Sequence, residues 1–265
     1  IQKVRMLAIV FAIAFFASTI GAICGIGGGI IIKPVMDAVG AADVATINFL
    51  SGCTVLSMTC YSVIKSKVSG DSKIDPKIDT PLAVGAAAGG LAGRQMFSAV
   101  ASFFGDANIA GAVQAGTLML VTVGTLLYTL NKEKIATRNV TGAIPCMAIG
   151  LVLGISSSFL GIGGGPINLV VLFYFFTMST KRSAQSSLYI ILFSQAASTI
   201  AAIVGGVSNL DVALLAGMAA CGILGGIAGR AVNKHIDDAA VDKLFCGLMV
   251  AIILISGFNV VRYCG

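Results

Sequence analysis

The sequence has no tryptophan, a single histidine and five tyrosines among 265 residues. Charged residues make up 11% of it, where a soluble domain carries about 25%. Too few polar side chains remain to clothe a water-facing surface, which excludes an ordinary soluble fold. Seven cysteines occur, six of them inside apolar runs, and none forms a CxxC pair. That excludes a clustered thiol centre and reads as buried packing. Every acidic residue lies in or beside a loop, and His235 sits in a charged loop. Deep titratable groups for a proton relay are therefore not expected, nor the ligands of an intramembrane protease or metal enzyme. A GxxxxGK[ST] phosphate loop is also absent, so nucleotide-driven chemistry is not expected. The expectation is a chain that is not an enzyme, with no cofactor and no metal.

What fills the sequence instead is apolar. Hydrophobic residues reach 57%, mean hydropathy is +0.98 and there are 33 glycines. The bilayer is the natural solvent for such a chain, and glycine suits close helix packing in lipid. The net charge of +6 does not point to nucleic acid, because the cations sit in short loops between apolar runs and act as topology signals. The apolar run from Met6 is too long for a signal h-region.

Run lengths count the crossings, since a helix rises 1.5 Å per residue and the hydrocarbon core is about 30 Å thick. Val44–Ile64, Ile109–Leu130, Ser183–Leu210, Val212–Gly229 and Leu244–Val261 each suffice for one span. Thr80–Gly105 is another, interrupted by Arg94. Two runs are too long. Met6–Ile32 continues past Lys33 to Met36, and Asn139–Thr180 holds no charge over 42 residues. Each contains the same signal, Gly25-Ile26-Gly27-Gly28-Gly29 and Gly161-Ile162-Gly163-Gly164-Gly165. A triple glycine is a poor helix interior, so each run reads as a span, a break and a second, shorter helix.

The two GIGGG motifs lie 136 residues apart, and so do Gly89-Gly90-Leu91-Ala92-Gly93-Arg94 and Gly225-Gly226-Ile227-Ala228-Gly229-Arg230. Two matches at one offset signal a duplication, with a first repeat over 1–131, a linker over 132–138 and a second repeat over 139–265. If the short helices return across the membrane, each repeat has five segments and the second is inverted. Twelve lysines and arginines then fall on one side and five on the other. The positive-inside rule favours this arrangement, with both termini outside. The expected fold is an all-α integral membrane protein of two homologous, inverted repeats, each of four to five transmembrane segments with a glycine-broken helix.

Backbone breaks at membrane depth survive only where they are buried in protein or line a wet cavity. The helix after each break begins with free N–H groups and a positive dipole end, and a pair of such ends suits an anion. Gly27, Gly28, Gly29, Gly163, Gly164 and Gly165 are therefore candidate substrate-binding residues. Pro166 fits the first turn of the following helix, and Ser158 and Asn168 flank the second break. Asn48, Ser51 and Thr54 in one repeat and Gln185, Ser186 and Ser187 in the other offer amides and hydroxyls to an oxyanion without a buried charge. Gln195, further along, is a weaker candidate. Arg94 lies inside an apolar segment and either meets the anion or snorkels; for Lys33 snorkelling is the simpler reading. For the glycines the alternative is plain helix packing, and for the hydroxyls interhelical bonding.

These residues resemble the TauE/SafE family of sulfite exporters, also called the TSUP family. The resemblance rests on GIGGG at Gly25–Gly29 followed by Pro34, GIGGG at Gly161–Gly165, and the serines Ser51, Ser186 and Ser187, where the family tends to carry a Thr-Ser pair. It spans nearly the whole chain. It departs at Val170, which stands where the first repeat has Pro34, and at Leu50-Ser51 in place of Thr-Ser. The resemblance implies a multi-pass protein of a prokaryotic inner cell membrane. Such a protein is a secondary transporter of small sulfur-containing or organic anions such as sulfite or sulfoacetate, with a possible coupling proton or cation. An anion channel, or a membrane scaffold or maturation factor without transport, fits the same composition.

Overall fold

The computed structural model describes residues 2–105, 107–206 and 211–264. Within them the chain is helical throughout. In order come α1 (Gln2–Cys24), α2 (Gly29–Val39), α3 (Val44–Val68), α4 (Pro76–Phe104), α5 (Ala107–Asn131), α6 (Ala143–Phe159), α7 (Pro166–Phe176), α8 (Thr180–Val204), α9 (Val212–Asn233) and α10 (Asp238–Cys264). A short 3-10 turn at Lys132–Lys134 follows α5. Six helices (α1, α3, α5, α8, α9 and α10) are long and apolar enough to cross a membrane. The expected run to Leu210 ends earlier, with α8 at Val204, and residues 207–210 lie outside the described ones.

Both overlong runs break at the glycines. α2 and α7 hold 11 residues each, about 16 Å of helix, or half the hydrocarbon core. Each doubles back on the helix before it. Ile32 and Met36 of α2 pack with Val10, Ala14 and Ala17 of α1. The end of α7 returns to the start of α6, where Arg138 N–H donates to Tyr174 O at 2.7 Å and Val140 N–H to Phe175 O at 2.8 Å. Each broken run is thus a helical hairpin whose tip is a GIGGG motif.

Contacts between the two sequence halves recur at the 136-residue offset. A Cβ on Gly225 would meet Phe15 O at 2.6 Å. Its counterpart Gly89 is pressed against Leu151 O, and Phe15 and Leu151 are themselves 136 apart. Gly93 on Ile155 O answers Gly229 on Thr19 O in the same way. These glycines let α4 lie on α6 and α9 lie on α1 with backbones nearly touching, as the small-xxx-small spacing predicts.

The structure corrects two expectations. Lys33 does not snorkel: it is 3% exposed and pairs with Asp37 at 2.7 Å. Asp37 and Asp79, though near helix ends in sequence, are buried, so carboxylates are not confined to wet loops. Their helices end against other helices rather than in water. Asn259 of α10 donates to Pro34 O at 2.8 Å beside the Lys33–Asp37 pair. Asp79 accepts the Asp75 N–H at 2.7 Å at the start of α4.

Candidate anion site at the paired glycine breaks

The hairpin tips touch. A Cβ on Gly27 would lie 3.6 Å from Gly163 O, and one on Gly164 would lie 2.8 Å from Ile26 O. Gly27 and Gly163 adopt φ of 74° and 67°, a left-handed backbone open to glycine at little cost, so the chain can reverse within a few residues. Ile26 and Ile162 plug the core behind the tips and are fully buried.

Among the described residues, the amides of Gly27, Gly28, Gly29 and Ile30 find no hydrogen-bond acceptor, and neither do those of Gly163, Gly164, Gly165 and Ile167. The starts of α2 and α7 therefore present free donors. Each helix start carries roughly half a positive charge.

Side-chain oxygens gather around these donors. Ser18, Asn48, Ser51, Ser158 and Asn168 each have a buried oxygen with no hydrogen-bond partner among the described residues. A Cβ on Gly28 would stand 3.0 Å from Ser18 Oγ, and one on Gly29 would stand 2.9 Å from Ser51 Oγ. Asn48 abuts Gly161, and Gln195 lies against Gly163 and Gly52. Asn168 Nδ2 donates to Ser187 Oγ at 3.3 Å, tying α7 to α8. Thr54 turns its hydroxyl back onto Leu50 O of its own helix at 2.8 Å.

A polar cavity of about 100 Å³ opens beside the tips, lined by Ala45, Asn48, Arg94, Ser158, Gly161 and Gln195 among others. Its lining carries Arg94 and no carboxylate. Arg94 has no hydrogen-bond or ion-pair partner among the described residues. The arrangement offers a cation, hydroxyls, amides and free N–H donors to one small negative ligand.

Of the predicted residues, the six glycines, Asn48, Ser51, Ser158, Asn168 and Ser187 converge on the tips, with Arg94 in the adjoining cavity. Gln185 and Ser186 do not. Gln185 holds the loop before α4, accepting from Lys73 N at 2.7 Å and donating to Asp71 O at 3.3 Å, while Ser186 faces Asp79. Helical phase separates them, since neighbouring positions on one helix point about 100° apart. Ser18 escaped the sequence reading. It lies on a helix long enough to be read only as a span, and the contact that reveals it, with Gly28, joins the two arms of the hairpin.

The family model described as sulfite exporter TauE/SafE matches residues 10–255. Among curated proteins and among solved structures, none matches the chain.

Proposed function

Because the chain belongs to the TauE/SafE sulfite exporter family, whose members are transporters, we propose that it is a secondary carrier of small anions. Its substrates are sulfur oxyanions or organosulfonates of the size of sulfite or sulfoacetate. The observation that carries this reading is the meeting of two helix starts with eight unengaged amides, surrounded by unpartnered hydroxyls. Two helix N-termini together supply about one positive charge. A small dianion can be held there mainly by fixed dipoles, with Arg94 of the adjoining cavity as the added side-chain cation.

The reciprocal contacts at the 136-residue offset support a pair of inverted repeats over 1–131 and 139–265. The hairpins then enter from opposite faces and meet near the midplane. Rocking one repeat on the other would open the tips to each side in turn, the alternating-access scheme of inverted-repeat carriers. The lysine- and arginine-rich loops, which include Lys65–Lys77 and Arg230–Lys243, assign that side to the cytoplasm and both termini to the outside of a prokaryotic inner membrane. Coupling to a proton or cation belongs to the same reading.

The test is flux of radiolabelled sulfite and sulfoacetate into proteoliposomes, comparing the wild type with Gly28→Leu and Gly164→Leu, with folding followed by size exclusion. Saturable flux with counterflow, lost in both folded variants, supports a carrier with its site at the tips. Linear flux favours a channel, and absence of flux for every small oxyanion rejects transport of this class.

A further inference from the structure

A second cavity, of about 50 Å³, is lined by Ala22, Ser62, Lys181, Ala184, Arg230 and Asn233, among others. Subtracting the 136-residue offset from the last four of these takes Lys181 to Ala45, Ala184 to Asn48, Arg230 to Arg94 and Asn233 to Phe97. Ala45, Asn48, Arg94 and Phe97 all line the cavity beside the tips. Ser62 and Ala22 likewise answer Ser198 and Ser158. The two cavities are therefore counterparts, one from each half.

Beyond the differing side chains of the lining, they differ in what meets the arginine. Arg94 faces an open lining, whereas Arg230 Nη2 reaches both oxygens of Asp71, at 2.5 Å and 2.7 Å. Lys234 Nζ adds a contact at 3.5 Å, and Ser66 Oγ another at 3.4 Å. Gln185, also in this lining, grips the backbone at Asp71 and Lys73. A planar carboxylate thus engages the donors of Arg230, whose counterpart Arg94 has no partner among the described residues. In the other half the only carboxylate in the sequence of the α8–α9 connection is Asp211, whose oxygen instead caps α9 at Ala213 and Leu214. Arg230 and Arg94 are placed by the same glycine-rich packing, and Asp71 pairs with the first of them.

We propose that the Arg230 cavity is a second oxyanion subsite, and that Asp71 is a built-in anion that engages its arginine until a substrate oxyanion takes its place. The class of ligand is a small sulfonate or sulfur oxyanion, since a guanidinium and a lysine ammonium with serine hydroxyls suit tetrahedral oxygens. This rests on the anion-carrier reading and extends it: the arginine beside the tips is free among the described residues, while its counterpart is latched to Asp71.

The test uses the full chain in proteoliposomes bearing Ser62→Cys. A membrane-impermeant maleimide is applied from both faces, modification at position 62 is read by mass spectrometry, and the native cysteines serve as internal controls. With Asp71→Asn added, modification should quicken by about fivefold or more, the release expected when a partly exposed ion pair is removed. Sodium sulfate, against sodium chloride of equal ionic strength, should then slow it again, and adding Arg230→Gln should abolish that protection. The exchanged pair, Asp71→Arg with Arg230→Asp, should restore slow modification without sulfate protection, which separates a latch from a folding defect. Unchanged modification in folded Asp71→Asn, or protection that survives loss of Arg230, overturns the proposal. Sulfate protection together with zero oxyanion flux in the wild type upholds the subsite and removes the carrier reading instead.

Discussion

Lys33 and Asp37 stand one turn apart on α2, 2.7 Å from nitrogen to oxygen, and both are sealed from solvent. Around them Gln114, Ser256 and Asn259 each keep an oxygen without a partner. A buried ion pair gains little net stability over an apolar pair of the same shape, but removing one member strands the other. Asp37→Asn should therefore lower stability by about 3–5 kcal/mol. The double replacement Lys33→Met with Asp37→Leu should recover most of that loss. Thermal unfolding in detergent of the two variants and the wild type tests both halves of the statement.

Gly89 and Gly225 should be equally intolerant of a side chain. In each case even a methyl group meets a backbone carbonyl of the partner helix, and a backbone cannot step aside as a side chain can. Gly89→Val and Gly225→Val should each cost about 1–3 kcal/mol or more through overpacking. Gly124→Ala is the control, because nothing lies within 4 Å of the added methyl; there the gain in helix propensity should leave stability unchanged or raised by up to about 1 kcal/mol. Monodispersity and melting temperature distinguish the two classes.

Arg94 faces its cavity without a partner, so its charge is available to a ligand. Arg94→Gln should raise the half-saturating concentration of a transported oxyanion by about tenfold, the loss of one charged hydrogen-bond donor. Arg94→Lys should retain part of the effect, since it keeps the charge and loses the planar fork. Initial-rate flux against substrate concentration gives the result. A half-saturating concentration that does not move would make Arg94 a bystander.

Asp71 supplies a pH signature. Burial pushes its carboxyl up, but the hydrogen bond and charge of Arg230, with Lys234 behind it, outweigh that and hold it below the ordinary carboxylate range. The stabilisation this gives the latched loop is present above the ordinary value of about 3.9 and is lost as pH falls through the depressed one. Modification at position 62, expressed relative to that of a free thiol at the same pH to remove the falling thiolate fraction, should stay slow from neutral pH to about 5, then rise only below about 4. Asp71→Asn should flatten that profile.

Much of this fold was readable from run length and glycine. The chain could not cross twice between Asn139 and Thr180 without a break, and Gly161–Gly165 was the one place where helix was weakest. The doubling back of α2 and α7 was open to the sequence only as one option, because a run of 11 residues is compatible with either direction. The face of each helix was harder to read. Gln185, Ser186 and Ser187 are consecutive, yet they bind a loop, face Asp79 and accept from Asn168 respectively. Nothing local separates them; the neighbours that do come from α4, α7 and the loop after α3. Lys33 and Asp37 had the spacing of an intrahelical pair, but their burial depends on α5 and α10 closing over them. The Asp71–Arg230 pair joins residues 159 positions apart, beyond the reach of any local pattern.

The backbone-to-backbone fit of α9 on α1 also bears on how the protein is made. α1 leaves the ribosome about 190 residues before α9 begins. At a synthesis rate of about 5–20 residues per second it waits roughly 10–40 s for the glycine-lined face of α9 that packs on it. During that interval its groove-facing carbonyls at Phe15 and Thr19 lie against lipid or the insertion machinery, and α4 waits in the same way, more briefly, for α6. Biogenesis therefore depends on holding early helices in a loose, exchangeable association until their late partners arrive, and variants that slow synthesis between α5 and α9 should lengthen the vulnerable period without touching any contact in the finished molecule.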